Sequence, residues 1–138
     1  MSDGIILKEE RYALVGAALE VHRTIGNGFT EYVYQDALEV EFQKRNIPYV
    51  REKHMNVFYK NIKLRHDFYV DFLCYGRIII ECKATSSICG EHEAQIINYC
   101  NIGKSPVGIL INFGTLSLQY KQFVFSKYLN MHNDDKKF

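Results

Sequence analysis

The stretch "DFYVDFLCYGRIIIECKA", residues 67–84, sets an aspartate and a Glu-x-Lys triplet inside two runs of strand-forming residues. Buried or half-buried charge is costly without a partner. Asp71, Glu81 and Lys83 therefore either pair with one another or hold something between them. The turn at "CYGR" decides which face each residue occupies. A three-residue loop of Tyr75, Gly76 and Arg77 sets Asp71 opposite Glu81, Leu73 opposite Ile79 and Tyr69 opposite Lys83, gathering the charges on one face. The same register places Val70 with Cys82, Phe72 with Ile80 and Cys74 with Ile78 on the other face, an apolar set fit to lie under a helix. A two-residue loop would shift parity and separate Asp71 from Glu81, so the odd-length loop is expected.

Working outward, "KEERYALVGAALEVHR", residues 8–23, carries Leu14, Ala17, Ala18 and Val21 at helical spacing with charges on the other side. Gly26, Asn27 and Gly28 break this helix. Thr30 is placed to cap a second one, running to about Asn46 with Tyr34, Leu38 and Phe42 as its apolar stripe. After Pro48, "HMNVFYK", "LRHDFYVDFLCY" and "RIIIECKA" read as three strands with turns near Asn61 and Gly76. Helical character returns between about Cys89 and Gly103, and "VGILINF" and "LSLQYKQFVF" are two more strands joined at Gly114. The order is ααβββαββ, an α/β chain.

The 138 residues fit one domain, residues 1–138, able to bury a core without staples. With 47% apolar residues, ten Tyr, nine Phe and two Pro, disorder is expected only at the ends, the polar tail 130–138 above all. Net charge is +1, so nucleic-acid binding would have to rest on a local basic patch. Cys74, Cys82, Cys89 and Cys100 form no CxxC pair and have no histidine at zinc-finger spacing, which makes free thiols the expectation. No run of about 18 apolar residues and no signal-like leader occurs, so a cytoplasmic protein with no membrane contact is expected.

Two carboxylates on neighbouring strands suit a hard divalent cation that takes oxygen ligands and keeps several waters. Asp71 and Glu81 would supply oxygens and the Cys82 backbone carbonyl a third, while Lys83 would assist the attacking water or the phosphate. That outlines phosphodiester hydrolysis. The competing account is a cross-strand salt bridge, because an ExK triplet alone occurs by composition in roughly every second chain of this length.

Three blocks in order add specificity. "GFTEYVY" fits GxxExxY at Gly28, Glu31 and Tyr34, and with "DFLCYGRIIIECKA" and "HEAQIINYC" it resembles the GxxExxY protein family of the PD-(D/E)XK nuclease superfamily over about residues 8–125. The resemblance implies a restriction-endonuclease-like core, a central mixed sheet flanked by helices. It also implies a nuclease dependent on Mg²⁺ or Mn²⁺, with the acidic pair and lysine on Asp71, Glu81 and Lys83. Glu31 resembles an extra acidic residue that joins the metal site through a water, although a carboxylate in a first helical turn also stabilises the helix dipole. Gln95 and Tyr99, four apart, look like the superfamily's QxxxY element, which orients phosphate or the lysine; a core tyrosine beside a solvated glutamine is the alternative. The literal "PD" is absent, since Val70 precedes Asp71.

For substrate contact the candidate patch is "YKNIKLRH", with Lys60, Lys63, Arg65 and His66 beside Tyr59, extended by Arg51 and Lys53. Charges on exposed strand edges also protect against aggregation. His54 and His92 read as surface or supporting residues. Two functions follow: a metal-dependent nuclease acting on nucleic acid, DNA by preference, or a non-catalytic nucleic-acid-binding or protein-interaction module on the same fold. A homodimer or a protein partner fits either.

Overall fold

A computed structural model of the chain describes residues 3–131. Helix α1 (Lys8–Ile25) and helix α2 (Glu31–Lys44) precede strands β1 (Tyr49–Tyr59), β2 (Ile62–Cys74) and β3 (Ile78–Lys83). Helix α3 (Gly90–Gly103) and strands β4 (Val107–Asn112) and β5 (Gln119–Val124) follow. The element order agrees with the sequence reading, with short 3-10 turns added at Asp3–Ile5 and Ser126–Tyr128. Most of the tail expected to fray, 130–138, lies outside the described residues.

The five strands form one mixed sheet in the order β1-β2-β3-β4-β5. Strands β3 and β4 are parallel and the other neighbours antiparallel, as the crossover through α3 requires. Because both sheet faces are covered, β3 and β4 are near-continuous apolar runs, and all six residues of β4 are buried. The apolar stripes of α1 and α2 (Leu14, Ala17, Ala18, Val21; Tyr34, Leu38, Phe42) pack over Phe72, Cys74, Ile78, Ile80, Cys82 and Phe113. On the opposite face Ile96, Tyr99 and Cys100 of α3 pack over Met55, Leu73, Ile79 and Leu110.

The hairpin register is the one the odd loop demands: Cys74 faces Ile78, Leu73 faces Ile79 and Phe72 faces Ile80. Tyr75 and Gly76 both take left-handed backbone, and the Arg77 N–H closes the loop on the Cys74 carbonyl at 3.0 Å. Beyond Phe72 the simple alternation fails. Val70 packs with Leu73 on the α3 side, not with Phe72 and Cys82 under α1 and α2. Asp71 belongs to neither the β1–β2 nor the β2–β3 ladder, and Glu52 beside it in β1 has φ 51°. The pleat of β2 thus changes phase at Asp71, where the β1–β2 ladder skips one residue on each strand without a register shift, and a pure period of two could not anticipate it.

The loop between α1 and α2 is fixed by the motif's tyrosine. The Tyr34 hydroxyl donates to the Gly26 carbonyl at 2.6 Å and accepts from the Phe29 N–H at 3.3 Å, and the ring stacks on Phe113 at 4.6 Å. Gly28, at φ 107°, supplies the backbone that lets the chain turn beneath it. Thr30 occupies the cap position of α2 without a side-chain cap bond, so the loop is held by Tyr34 rather than by capping.

All four cysteines are free, with Cys74, Cys82 and Cys100 buried and Cys89 exposed. Burial pushes the three interior thiols well up, Cys100 to about 12, away from reactive thiolate. A thiol titration is expected to find one fast-reacting group in the native protein and four after denaturation without reductant.

Candidate active site

Strand β3 holds its backbone ladder to β2 only as far as Ile80, while it continues to pair with β4 through Lys83. A gap opens where β2 departs, and two carboxylates close it. The Asp71 N–H donates to Glu81 Oε2 at 2.7 Å, and the Cys82 N–H donates to Asp71 Oδ2 at 2.7 Å. Side-chain oxygens thus replace the carbonyls that an unbroken ladder would offer. A strand residue directs its N–H and C=O to the same edge, so the Cys82 carbonyl faces the same gap.

Both carboxylates titrate high. Burial is the main cause for Asp71, raised to about 6, opposed by the Cys82 N–H and reinforced by the Glu31 carboxylate. For Glu81, raised to about 8, burial comes first and the Asp71 charge second. Glu31 stands at the first position of α2, where the tyrosine-fixed loop delivers it, and its charge reaches both. Lys83, half-buried, lies across from α3, where its Nζ approaches Gln95 Oε1 at 3.4 Å. Tyr99 is buried one turn along α3, 5.8 Å from the Phe68 ring; burial first, then Glu81 and Asp71, push its phenol upward.

The far side of the gap is braced by a fully engaged amide. Asn112 Oδ1 accepts from the Thr85 and Gly114 N–H groups, and its Nδ2 donates to the Thr85 carbonyl and to Gln119 Oε1. The Phe113 N–H donates to the Lys83 carbonyl at 2.8 Å. A Cβ at position 114 would stand 2.3 Å from the Thr85 carbonyl oxygen, so only glycine permits this closure. Sequence reasoning read Gly114 as a strand turn and passed over Asn112; an asparagine ending an apolar strand was the available signal.

The structure therefore brings together Asp71, Glu81, Lys83, Gln95 and Tyr99, with Glu31 within electrostatic reach. It does not bring Lys60, Lys63 and Arg65 there; they are exposed at the outer end of the β1–β2 hairpin. Arg51 is no part of that basic patch. It is half-buried against α2, paired with Asp36 at 2.7 Å and Glu39 at 3.0 Å, over the Phe72 ring. The acidic residues of α2 on the side facing β1 were the missed signal. His54 pairs with Asp67 and stacks on Tyr69, while His92 Nδ1 accepts from the Cys89 N–H; neither meets the carboxylates.

The donor set suits a hard cation. Asp71 and Glu81 each have one oxygen engaged by a backbone N–H, leaving the other available, and the Cys82 carbonyl adds a third oxygen donor. Among the described residues no group of three or more His, Cys, Asp or Glu side chains is placed to hold a metal. Two carboxylates and a carbonyl are donors of the kind Mg²⁺ takes when it shares its shell with waters and substrate phosphate.

Residues 8–123 match the PD-(D/E)XK nuclease superfamily. The chain belongs to that superfamily. Its mixed five-stranded sheet between helices is the superfamily's α/β fold, and members typically depend on Mg²⁺. The crystal structure of SSO0001 is similar at 15% sequence identity and a TM-score of 0.54, over 89% of this chain. The chain spans 64% of that protein's length, and the likeness is one of fold. No curated protein matches. Among the described residues no helix is long and apolar enough to cross a membrane.

The raised carboxylates fix a pH dependence. Unfolded, Asp71 and Glu81 release their protons near pH 4; folded, they hold them to about 6 and about 8. Between these limits the native state binds more protons than the unfolded one, so stability falls as pH rises. Urea unfolding of metal-free protein is expected to lose on the order of a few kcal/mol from pH 5 to pH 8. Glu81→Gln, which keeps an acceptor for the Asp71 N–H, is expected to flatten that slope; an unchanged slope would place the titration elsewhere.

Proposed function

We propose that the protein is a metal-dependent nuclease hydrolysing phosphodiester bonds in nucleic acid, of the GxxExxY subgroup of its superfamily. The observation that supports this most directly is the carboxylate-bridged gap at the end of β3, with Lys83 at its mouth. A stability device would not gather like charges that burial and mutual repulsion drive toward protonation. Asp71, Glu81 and the Cys82 carbonyl would hold Mg²⁺ or Mn²⁺, which would supply Lewis-acid polarisation of the phosphate and easier ionisation of water.

The chain's own groups do the rest. Lys83 places its ammonium beside the reacting phosphate, stabilising charge that grows in the transition state, and Gln95 holds that ammonium in position. Tyr99 walls the site from the core side. Glu31 orients water at the gap through the α2 N-terminus. The GxxExxY pattern thereby gains a physical sense: Tyr34 pins the loop, Gly28 permits it, and Glu31 is what the loop delivers.

Cleavage assays on single-stranded, duplex and branched DNA and on RNA with Mg²⁺ or Mn²⁺ test the reading. Lys83→Ala is expected to lower turnover by about 10²-fold or more while fold and metal affinity persist. Wild-type protein that binds nucleic acid but cuts nothing in that panel would establish the binding-module alternative instead. Calorimetric titration is expected to show divalent binding abolished in Asp71→Asn combined with Glu81→Gln; retained binding would place the ion elsewhere.

A further inference from the structure

Strand β2 pairs with β3 over only Phe72–Cys74, yet with β1 from Tyr49↔Cys74 out to Tyr59↔Ile62. Its outer half therefore projects past the gap as a two-stranded ribbon. Met55 and Val70 are still buried under α3, but every residue from 58 to 67 is exposed. Residues 58–67, "FYKNIKLRHD", hold Lys60, Lys63 and Arg65 against one carboxylate, Asp67, which pairs with His54. That segment carries +2 in a chain of net +1, so the remainder is −1 (1 minus 2), and positive charge is concentrated on the arm. None of the three cations forms an ion pair among the described residues. Exposed Tyr59, Ile62 and Leu64 occupy one face of the ribbon and Lys63 and Arg65 the other.

We infer that this arm lies in the major groove of B-form duplex DNA while the scissile phosphate sits at the gap, an inference that rests on the nuclease reading above. A two-stranded ribbon fits a groove about 12 Å wide, and the exposed apolar side chains suit thymine methyl groups. The convex ribbon offers no trough for a single strand. The deep, narrow major groove of duplex RNA excludes it. Charge complementarity sets the occupant, and strand rise sets the spacing. Arg65 and Lys63 lie six and eight residues from Asp71 along β2, about 20 to 26 Å, which corresponds to about 6 to 8 base pairs from the cleavage point.

Fluorescence anisotropy of the full chain in EDTA, with a 24-base-pair DNA duplex, the matching RNA duplex and the single strand, tests this apart from cleavage. The wild type is expected to bind the DNA duplex at least tenfold more tightly than either alternative. Lys60→Ser, Lys63→Ser and Arg65→Ser together are expected to lose at least tenfold on DNA and to lower the salt slope by about 2 to 3. Lys8→Ser, Lys44→Ser and Lys127→Ser, removing the same charge from exposed positions elsewhere, are expected to change binding far less. Equal loss in both triple variants, arm-dependent binding as tight on duplex RNA, or a wild-type dimer that the arm variant dissolves in sedimentation would each overturn the arm. Arm-dependent DNA binding by a protein that cuts nothing would retire the nuclease reading and keep the arm. Cleavage and binding unaffected by the arm variant would do the reverse.

Discussion

Two hydrogen bonds across the end of a broken ladder organise this molecule: the Asp71 N–H to the Glu81 carboxylate, and the Cys82 N–H to the Asp71 carboxylate. When β2 leaves β3, two backbone donors face a gap instead of carbonyls, and leaving them unmade would cost about 1 to 3 kcal/mol each. Carboxylates satisfy them and, by doing so, become fixed with one oxygen apiece left free. The interruption of the pleat is thus both the structural fault and the means of placing the acidic groups, because the phase change at Asp71 turns its N–H toward β3. Hydrophobic side chains at either position would leave the donors unpaired.

Around that gap, three anchors hold elements that the sheet alone would leave loose. Tyr34 ties the α1–α2 loop, Arg51 ties α2 to β1 through Asp36 and Glu39, and Asn112 ties the chain leaving β3 to the end of β4. Each joins different segments through polar atoms; Tyr34 and Asn112 do so from fully buried positions, and Arg51 from a half-buried one. The C-terminal end of parallel strands is also where loops diverge and an open crevice forms. The rigid part, β3 and β4 buried on both faces, ends where that crevice begins.

The element order, the helix stripes and the register of the Tyr75–Arg77 turn were legible because each rests on local period and turn chemistry. Counting through the turn put Asp71 opposite Glu81 and Tyr69 opposite Lys83, but the ladder ends at Phe72 and Ile80, and Asp71 meets Glu81 through its N–H instead of as a strand pair. What escaped was non-local. The side switch of Val70 goes with an interruption of the β1–β2 ladder opposite Glu52, about twenty residues away in sequence, and no local pattern marks it. Arg51 read as one more cation beside Lys53 because its acidic partners lie a dozen or more positions earlier, on another element. Asn112 ends an apolar strand whose run of Val, Ile and Leu signals burial, and its partners Thr85 and Gln119 lie in other segments.

The electrostatic cost of the acidic pair explains why so much apolar packing adjoins it. Two carboxylates raised together oppose folding at neutral pH by on the order of a few kcal/mol. Each fully buried aliphatic side chain contributes roughly 1.5 to 3 kcal/mol. Ile78, Ile79 and Ile80 lead directly into Glu81, and Ile109, Leu110 and Ile111 run beside them, all with no exposed surface. These six side chains oppose the repulsion at the strand end with apolar burial.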